Sequence, residues 1–370
     1  MPDQAKPFMS VVVPVYNGAA TIGRALDSLL AQDYPKDRFE IIVVNDGSND
    51  SSAEAVISRK SIHYVELPYN MGIPSAQNAG LKAARGDVYV CFNDDCQAAP
   101  DFLSQLAKGY AQLDKPAGIG GVVVKHVSGK VKGLVANYIE ASGSGAAPSA
   151  GDLGPAFLPR SAKRLLGYVL GNYAPRQYDQ AAEREYDEVV ELYGANASFP
   201  IGMLRKIGGW DLSMAAPAIG GIEDRDVSYR MKQHFPDHHF YAMRSARVML
   251  DQDPDDTAVS IKTYLLRPYR RGPFNYAFHS QNGLTPPIFP SPLLIAVIFL
   301  VAAFVSPFAA LVELLFLPQL CYGWWAQRAF VDHRTLYLLF PYLQLAEETM
   351  VIGGLIKGFV VHNRKKHAAH

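Results

Sequence analysis

Three apolar runs in the first hundred residues end abruptly in polar clusters. Met9–Val15 runs into Tyr16-Asn17-Gly18, Phe39–Val44 into Asn45-Asp46-Gly47-Ser48, and Val88–Phe92 into Asn93-Asp94-Asp95. None of the three alternates polar with apolar, so each reads as a strand buried on both faces, the signature of a mostly parallel sheet. Two further strands fit "SIHYVELP" and "AGIGGVVVKH". Between the strands lie helical patterns, "TIGRALDSLLAQ", "IPSAQNAGLKAARG" and "PDFLSQLAKGYAQL". In the first, Ile22, Ala25, Leu26, Leu29 and Leu30 share a face and Thr21 stands at the N-cap; Gly86 stops the second. Strand–helix alternation of this kind gives an α/β fold with helices flanking the sheet. Strands of a parallel sheet end on one edge, where open α/β folds bind ligands. Tyr16, Asn17, Asp46 and Asp95 are therefore expected to converge there.

What the "FNDD" strand end does is not fixed by its own residues. Asn93, Asp94 and Asp95 can form a turn that caps the next helix. They can equally supply oxygen ligands to a divalent cation. Asp46, in "NDGS", reads as a turn residue or as a ligand contact with equal ease.

Lys and Arg together number 35, as do Asp and Glu, so the net charge is zero. A nucleic-acid binder relying on a broad basic surface is excluded on that ground. The first ten residues contain no apolar secretory core. Cys91, Cys96 and Cys321 form neither a zinc-type pair nor a disulfide framework, and suit a reducing compartment.

The pattern weakens over 128–192, where "ASGSGAAPSAGDLG" reads as a loop and "YDQAAEREYDEVVELYG" as a charged helix. It returns at "GANASFPIGMLRKIGGWD" and "GIEDRDVSYRMK". In the latter, Ile222, Val227 and Met231 fall near one helical face, leaving Glu223 and Asp224 in the first turn as favourable helix charges or as a general base. "RPYRRG" brings together Arg267, Arg270 and Arg271, which suit a diphosphate or the flank of a membrane segment. From Thr285 to Ala326 the only charge is Glu313, and Pro307 divides the apolar run. A hairpin of membrane helices over 290–326 is expected, with Trp324 and Trp325 as interfacial anchors and an interfacial helix over 335–361. The basic flanks place both ends, and the domain before them, on the cytoplasmic side of an inner or plasma membrane.

Seven pieces in order, "VVVPVYNG", "IIVVNDGSNDSS", "NMGIPSAQNAGLKAARGD", "FNDDCQAAPDFL", "GANASFPIGMLRKIGGWD", "GIEDRDVSYRMK" and "RPYRRG", resemble the family 2 inverting glycosyltransferases of GT-A (Rossmann-like) fold. The resemblance implies a catalytic domain over 1–275, with 128–192 a variable insertion, and a membrane-associated region over 286–370. It implies that Pro14, Tyr16, Asn17, Asp46, Asn70, Gly72, Asn78, Asn93, Asp94 and the three arginines bind a nucleotide-diphosphate sugar. Asp95, with Asn93 and Asp251 as weaker candidates, would hold Mg²⁺ or Mn²⁺. Asp224 would be the base, and Trp210 and Glu223 would face the acceptor. The sequence departs from the family's pattern in having Asn93 at the first metal position and Gln77 where arginine is frequent. Asp251 or Asp253 stands near where a histidine is often found.

The implied reaction moves one sugar to a hydroxyl of a lipid-linked or cell-surface glycan at the membrane, as in cell-envelope polysaccharide biosynthesis. Transfer to a polyprenyl phosphate, and a degenerate nucleotide-sugar-binding scaffold, are the alternatives.

Overall fold

The computed structural model of the protein describes residues 6–126, 185–189, 191–192, 194–214, 222–251, 261–283, 349–350 and 352–362. The chain divides into two compact units. One is built from the residues up to 128 and from 180–254, the other from 129–179 and 255–370.

The first unit is one sheet with helices on both faces. In chain order its elements are β1 (Met9–Val15), α1 (Ile22–Leu30), β2 (Phe39–Asn45), α2 (Ser52–Ile57), β3 (Ile62–Glu66), α3 (Ile73–Ala83), β4 (Val88–Phe92) and β5 (Cys96–Ala98). There follow α4 (Phe102–Gln112), β6 (Pro116–His126), β7 (Tyr186–Val189), β8 (Asn196–Pro200), α5 (Ile201–Lys206), a 3₁₀ turn (Leu212–Met214), α6 (Glu223–His234) and β9 (His239–Asp251). The strands lie in the order β3-β2-β1-β4-β8-β6-β9-β5, with β7 also on β9.

Alternate residues of the apolar strands enter opposite cores, because successive side chains of a strand point to opposite faces. Val11, Val13 and Phe92 pack with Leu26 and Leu29 of α1 and Phe102 and Leu106 of α4. Val12, Ile42, Val44 and Tyr89 pack with Ala76 of α3, Leu204 of α5 and Val227 and Met231 of α6. Two-sided burial of the early strands is thus as expected from their composition.

The sheet is more mixed than a mostly parallel one. β1 pairs in parallel with β2 and β4, β2 with β3, and β6 with β9. β4–β8, β6–β8, β5–β9 and β7–β9 are antiparallel. Two of these antiparallel pairings come from β8, "NASFP", which inserts between β4 and β6 against their direction. It has one large apolar residue, Phe199, so it carries little strand pattern of its own. Residues 186–189, expected within a charged helix, are instead a strand along Phe240–Met243 of β9. Thr21 makes no side-chain cap to α1. Its hydroxyl turns back to donate to the Gly18 carbonyl at 3.2 Å.

The described part of the second unit comprises α7 (Ile261–Gln281) and a helix over 352–362. Among the described residues no helix is long and apolar enough to cross a membrane. The expected hairpin over 290–326, most of 335–361, and most of 128–192 lie outside the described residues.

Candidate active site

Strand register assembles the site. Val15 of β1 lies beside Asn45 of β2, so the turns that follow these two strands share one sheet edge. β4 runs parallel to β1 and delivers Asn93, Asp94 and Asp95 to the same edge. β8 runs the other way, with Asn196 opposite Phe92, so Gly194 just before it comes to that edge too. Leu250 of β9 pairs with Cys96, so Asp251 lies one residue beyond that pair, on the side of Asp95.

The first two turns are stitched together. Asn17, in the left-handed region at φ 53°, donates its N–H to Ser48 Oγ at 2.9 Å. Its Oδ1 accepts from the Asn49 N–H at 2.9 Å. The Gly18 N–H donates to Ser52 Oγ at 2.9 Å and the Ala19 N–H to Asp50 Oδ2 at 3.0 Å. Hydrogen bonds from Ser52 and the Ala19 amide hold the Asp50 carboxyl below its ordinary range, against the effect of desolvation. Ser48, Asp50 and Ser52 were not singled out from sequence. "NDGSNDSS" signals a turn, but nothing local says that its side chains grip residues 17–19. Tyr16 projects from this stitched base, 47% exposed. Pro14, half-buried in β1 beside Val44, precedes it.

Asp46 is tied to the neighbouring loop by both of its carboxylate oxygens. Its Oδ1 accepts from the Met71 N–H at 2.7 Å and its Oδ2 from the Gly72 N–H at 2.9 Å. Burial pushes its carboxyl up, opposed by these two bonds. Asn70 Oδ1 also accepts from Gly72, which adopts φ 86° as the cap of α3. Gly47 has φ 70°, and a Cβ there would stand 2.5 Å from the Tyr69 backbone. Asp46 therefore latches the exposed loop 69–73 to the sheet edge. A hydrogen bond to a charged group is worth roughly 1.5–3 kcal/mol. Asp46→Ala, losing two, is expected to weaken nucleotide binding at least about 10-fold, equally for two nucleotides of different base. Direct base reading would instead show as an effect confined to one base; titration calorimetry with both nucleotides distinguishes the two.

Asn78 and Trp210 are placed otherwise than expected. Asn78 Nδ2 donates to the Trp210 carbonyl at 2.7 Å, and its Oδ1 accepts from the Trp210 N–H at 2.8 Å. The amide is thus committed to the backbone of the "GGWD" turn. Trp210 is buried, its ring 5.1 Å from that of Tyr89, and so faces the core and not an acceptor. Gln77 is buried too, accepting from the Tyr89 hydroxyl at 2.5 Å.

The three acidic residues of "EDRD" have unlike surroundings. Glu223 is buried, which does not suit contact with an acceptor. Asp226 is 2% exposed and gripped by Arg230, Nε at 2.8 Å and Nη2 at 2.6 Å. That guanidinium also donates to the carbonyls of Ile207 and Gly209, so the pair braces a turn. Asp224 alone is half-exposed, and its Oδ2 accepts from the Gly194 N–H at 2.9 Å. Desolvation and then the Asp224 charge push the thiol of Cys91, in β4, well up, so this carboxylate lies near that strand. A Cβ on Gly194 would come within 2.5 Å of Asp224 Oδ1. Gly194→Ala is expected to displace the carboxylate and lower kcat on the order of 10²-fold, as a 1 Å misplacement can. Single-turnover rates, with nucleotide affinity as the control, check this; an unchanged rate would mean that the Asp224 position is unimportant.

Asp94 and Asp95 complete the edge. A Cβ on Gly18 would meet Asp94 Oδ2 at 2.0 Å, so that carboxylate lies directly over the first turn. Burial, then the charge of Asp95, then that of Asp50 push the Asp94 carboxyl up to about 7, against a hydrogen bond from its own backbone. Asp95 Oδ1 accepts from Cys96 Sγ at 3.6 Å. Among the described residues no group of three or more His, Cys, Asp and Glu is arranged to hold a metal ion. Two crowded carboxylates still fit a hard divalent cation of the Mg²⁺ kind, which is usually held by one or two carboxylates plus water and substrate phosphates. The side chain of Asp251 lies outside the described residues. Arg267, Arg270 and Arg271 stand on α7, in the second unit; the side chain of Arg267 lies outside the described residues, and Arg270 is exposed.

Residues 10–145 match the family described as Glycosyl transferase family 2. Glycosyltransferase AglE of Haloferax volcanii is 32% identical over 104 residues, 27% of this chain and 34% of that protein. A Methanococcus voltae enzyme, dolichyl N-acetyl-alpha-D-glucosaminyl phosphate 3-beta-D-2,3-diacetamido-2,3-dideoxy-beta-D-glucuronosyltransferase, is 28% identical over 130 residues, 32% of this chain and 40% of that one. The chain thus spans between a third and two fifths of the length of these curated relatives. Among solved structures, the mannosyltransferase PcManGT from Pyrobaculum calidifontis, in complex with GDP-Man and Mn²⁺, superposes with a TM-score of 0.53. That likeness covers 96% of this chain and 89% of PcManGT at 18% identity, and is one of fold. Over residues 10–145, then, the chain carries a glycosyl transferase family 2 match, set on a GT-A-like mixed sheet with flanking helices.

Proposed function

We propose that the protein transfers one sugar from a nucleotide-diphosphate sugar to a hydroxyl, with inversion. The observation that carries this reading is the register of β4 against β8. It brings Gly194, which holds Asp224, to the edge where Asn93–Asp95 emerge. A base and a diphosphate-side acidic pair then share one sheet edge, in keeping with a single displacement.

In this reading Tyr16 and the stitched turns at 16–19 and 45–52 seat the nucleoside, beside the loop latched by Asp46. Asp224 takes the proton from the acceptor hydroxyl as its oxygen attacks the anomeric carbon. The bond to the diphosphate breaks on the opposite face, and the electron pair leaves with the nucleotide. A divalent cation, Mg²⁺ or Mn²⁺, held by Asp94 and Asp95, would neutralise that leaving charge.

The acceptor we favour is a lipid-linked glycan, a class in keeping with the name of the Methanococcus voltae relative. Attachment to the membrane through 290–326, with the first unit on the cytoplasmic side, belongs to the same proposal. It rests on an apolar run with Glu313 as its one charge and on basic flanks. Nucleoside diphosphate release, screened across nucleotide sugars with a membrane lipid extract as acceptor, tests the reading. One donor is expected to give release that disappears in Asp224→Asn. Release from no donor, or release unaffected by that substitution, would overturn it.

A further inference from the structure

In the second unit, α7 and the helix over 352–362 cross at close range. Gly272 lies against Gly354, where a Cβ would stand 2.0 Å from the Gly354 carbonyl carbon. A Cβ on Gly358 would stand 2.6 Å from Tyr276 Cβ and 2.8 Å from Pro273 Cα. Gly354, Leu355 and Gly358 are thus turned inward. The outward side carries Ile356, Lys357, Val360 and Val361, with Phe359 at its border, where its ring also stands edge-on to Tyr276 of α7 at 5.8 Å. Four of these five are large and apolar, with exposures of 59% for Ile356, 52% for Phe359, 41% for Val360 and 38% for Val361.

Scattered exposed apolar side chains need no explanation, but a contiguous apolar helix face does. Water does not favour it, and the glycine contacts show that this helix already has a partner on its other side. The one charge on the face, Lys357, holds its ammonium 5.0 Å from the centre of the Tyr269 ring, at the border with α7. Directly after the helix the sequence reads Asn363-Arg364-Lys365-Lys366. Between the two helices it supplies the run from Pro292 to Ala326, whose only charge is Glu313. An apolar face bordered by lysine and arginine is the composition of a helix lying in a membrane interface, and the basic border complements anionic headgroups.

We infer that the outward face of residues 356–361 lies in the interface of an anionic bilayer, so that the α7 pair is a membrane-seated platform. This rests on the membrane attachment proposed above and adds to it a second, surface-lying contact. The test uses the full chain, with Cys321 replaced by serine; Cys91 and Cys96 are buried. A single cysteine at 356, 359, 360 or, as the inward control, 355 is labelled with an environment-sensitive fluorophore. The protein is then reconstituted in phosphatidylcholine–phosphatidylglycerol vesicles with and without acyl-chain spin-labelled lipid.

Flotation is read first and quenching second. The expected result is flotation, with blue-shifted emission at 356, 359 and 360 that spin-labelled lipid quenches, and no such quenching at 355. Water-like emission at the three outward sites in floating protein would overturn the inference while leaving the attachment intact. Emission that is shifted but unquenched would overturn it too, since protein and not lipid would then cover the face. Absence of flotation would remove the attachment and the inference together.

Discussion

Asp224→Asn is expected to lower kcat by roughly 10²–10⁴-fold, the range for loss of one general base, while nucleotide affinity changes little. The substitution suits this site. Asp224 accepts a hydrogen bond from the Gly194 N–H, and an asparagine carbonyl oxygen can accept the same bond. Nor is Asp224 the cap of α6, since Ile222 holds that position. Shape and helix are therefore kept, and only the ability to take a proton is lost. The neighbouring acids cannot replace it: Asp226 is bound by Arg230 on two nitrogens and Glu223 is buried. Pre-steady-state rates with the donor identified by the release screen provide the measurement. A near-wild-type kcat would end the assignment.

The sequence makes some of this site legible and hides the rest for physical reasons. Val88–Phe92 followed by three polar residues announces a strand end, because both faces of the run are apolar. The helix of "GIEDRD" is visible from Ile222, Val227 and Met231, all buried in the structure. What a one-dimensional pattern lacks is direction. Nothing in "NASFP" says that β8 runs against β4, yet that reversal is what brings Gly194 to the edge. Nor does it reveal which polar groups are already taken. Asn78, Asp46 and Asp226 read as available polar side chains. In the fold one grips the Trp210 backbone, one latches loop 69–73 and one is clamped by Arg230. Conversely Ser48, Asp50 and Ser52, which look like ordinary turn residues, fix the turn at residues 17–19.

Asp95→Ala is expected to abolish metal-stimulated turnover and to weaken nucleoside diphosphate binding in the presence of Mg²⁺ or Mn²⁺. Asp94 and Asp95 are adjacent carboxylates, and the push on the Asp94 carboxyl comes from burial first and from Asp95 second. A divalent cation would relieve the like-charge part of that cost. Asn93, at the first position of the strand end, contributes only a neutral oxygen, and no third acidic, histidine or cysteine ligand joins the pair among the described residues. Such a pair binds a hard cation weakly until phosphate oxygens complete the shell. Metal and nucleoside diphosphate should therefore enhance each other's affinity by the same factor, as linkage requires. Calorimetry on the wild type should show weak Mn²⁺ binding alone and tighter binding with the diphosphate present. In Asp95→Ala that enhancement should vanish, while binding of the nucleoside monophosphate, seated by residues 16–19 and 45–52, stays near the wild-type value. Full activity of Asp95→Ala in excess chelator would exclude a metal at this edge and leave the acidic strand end as a turn.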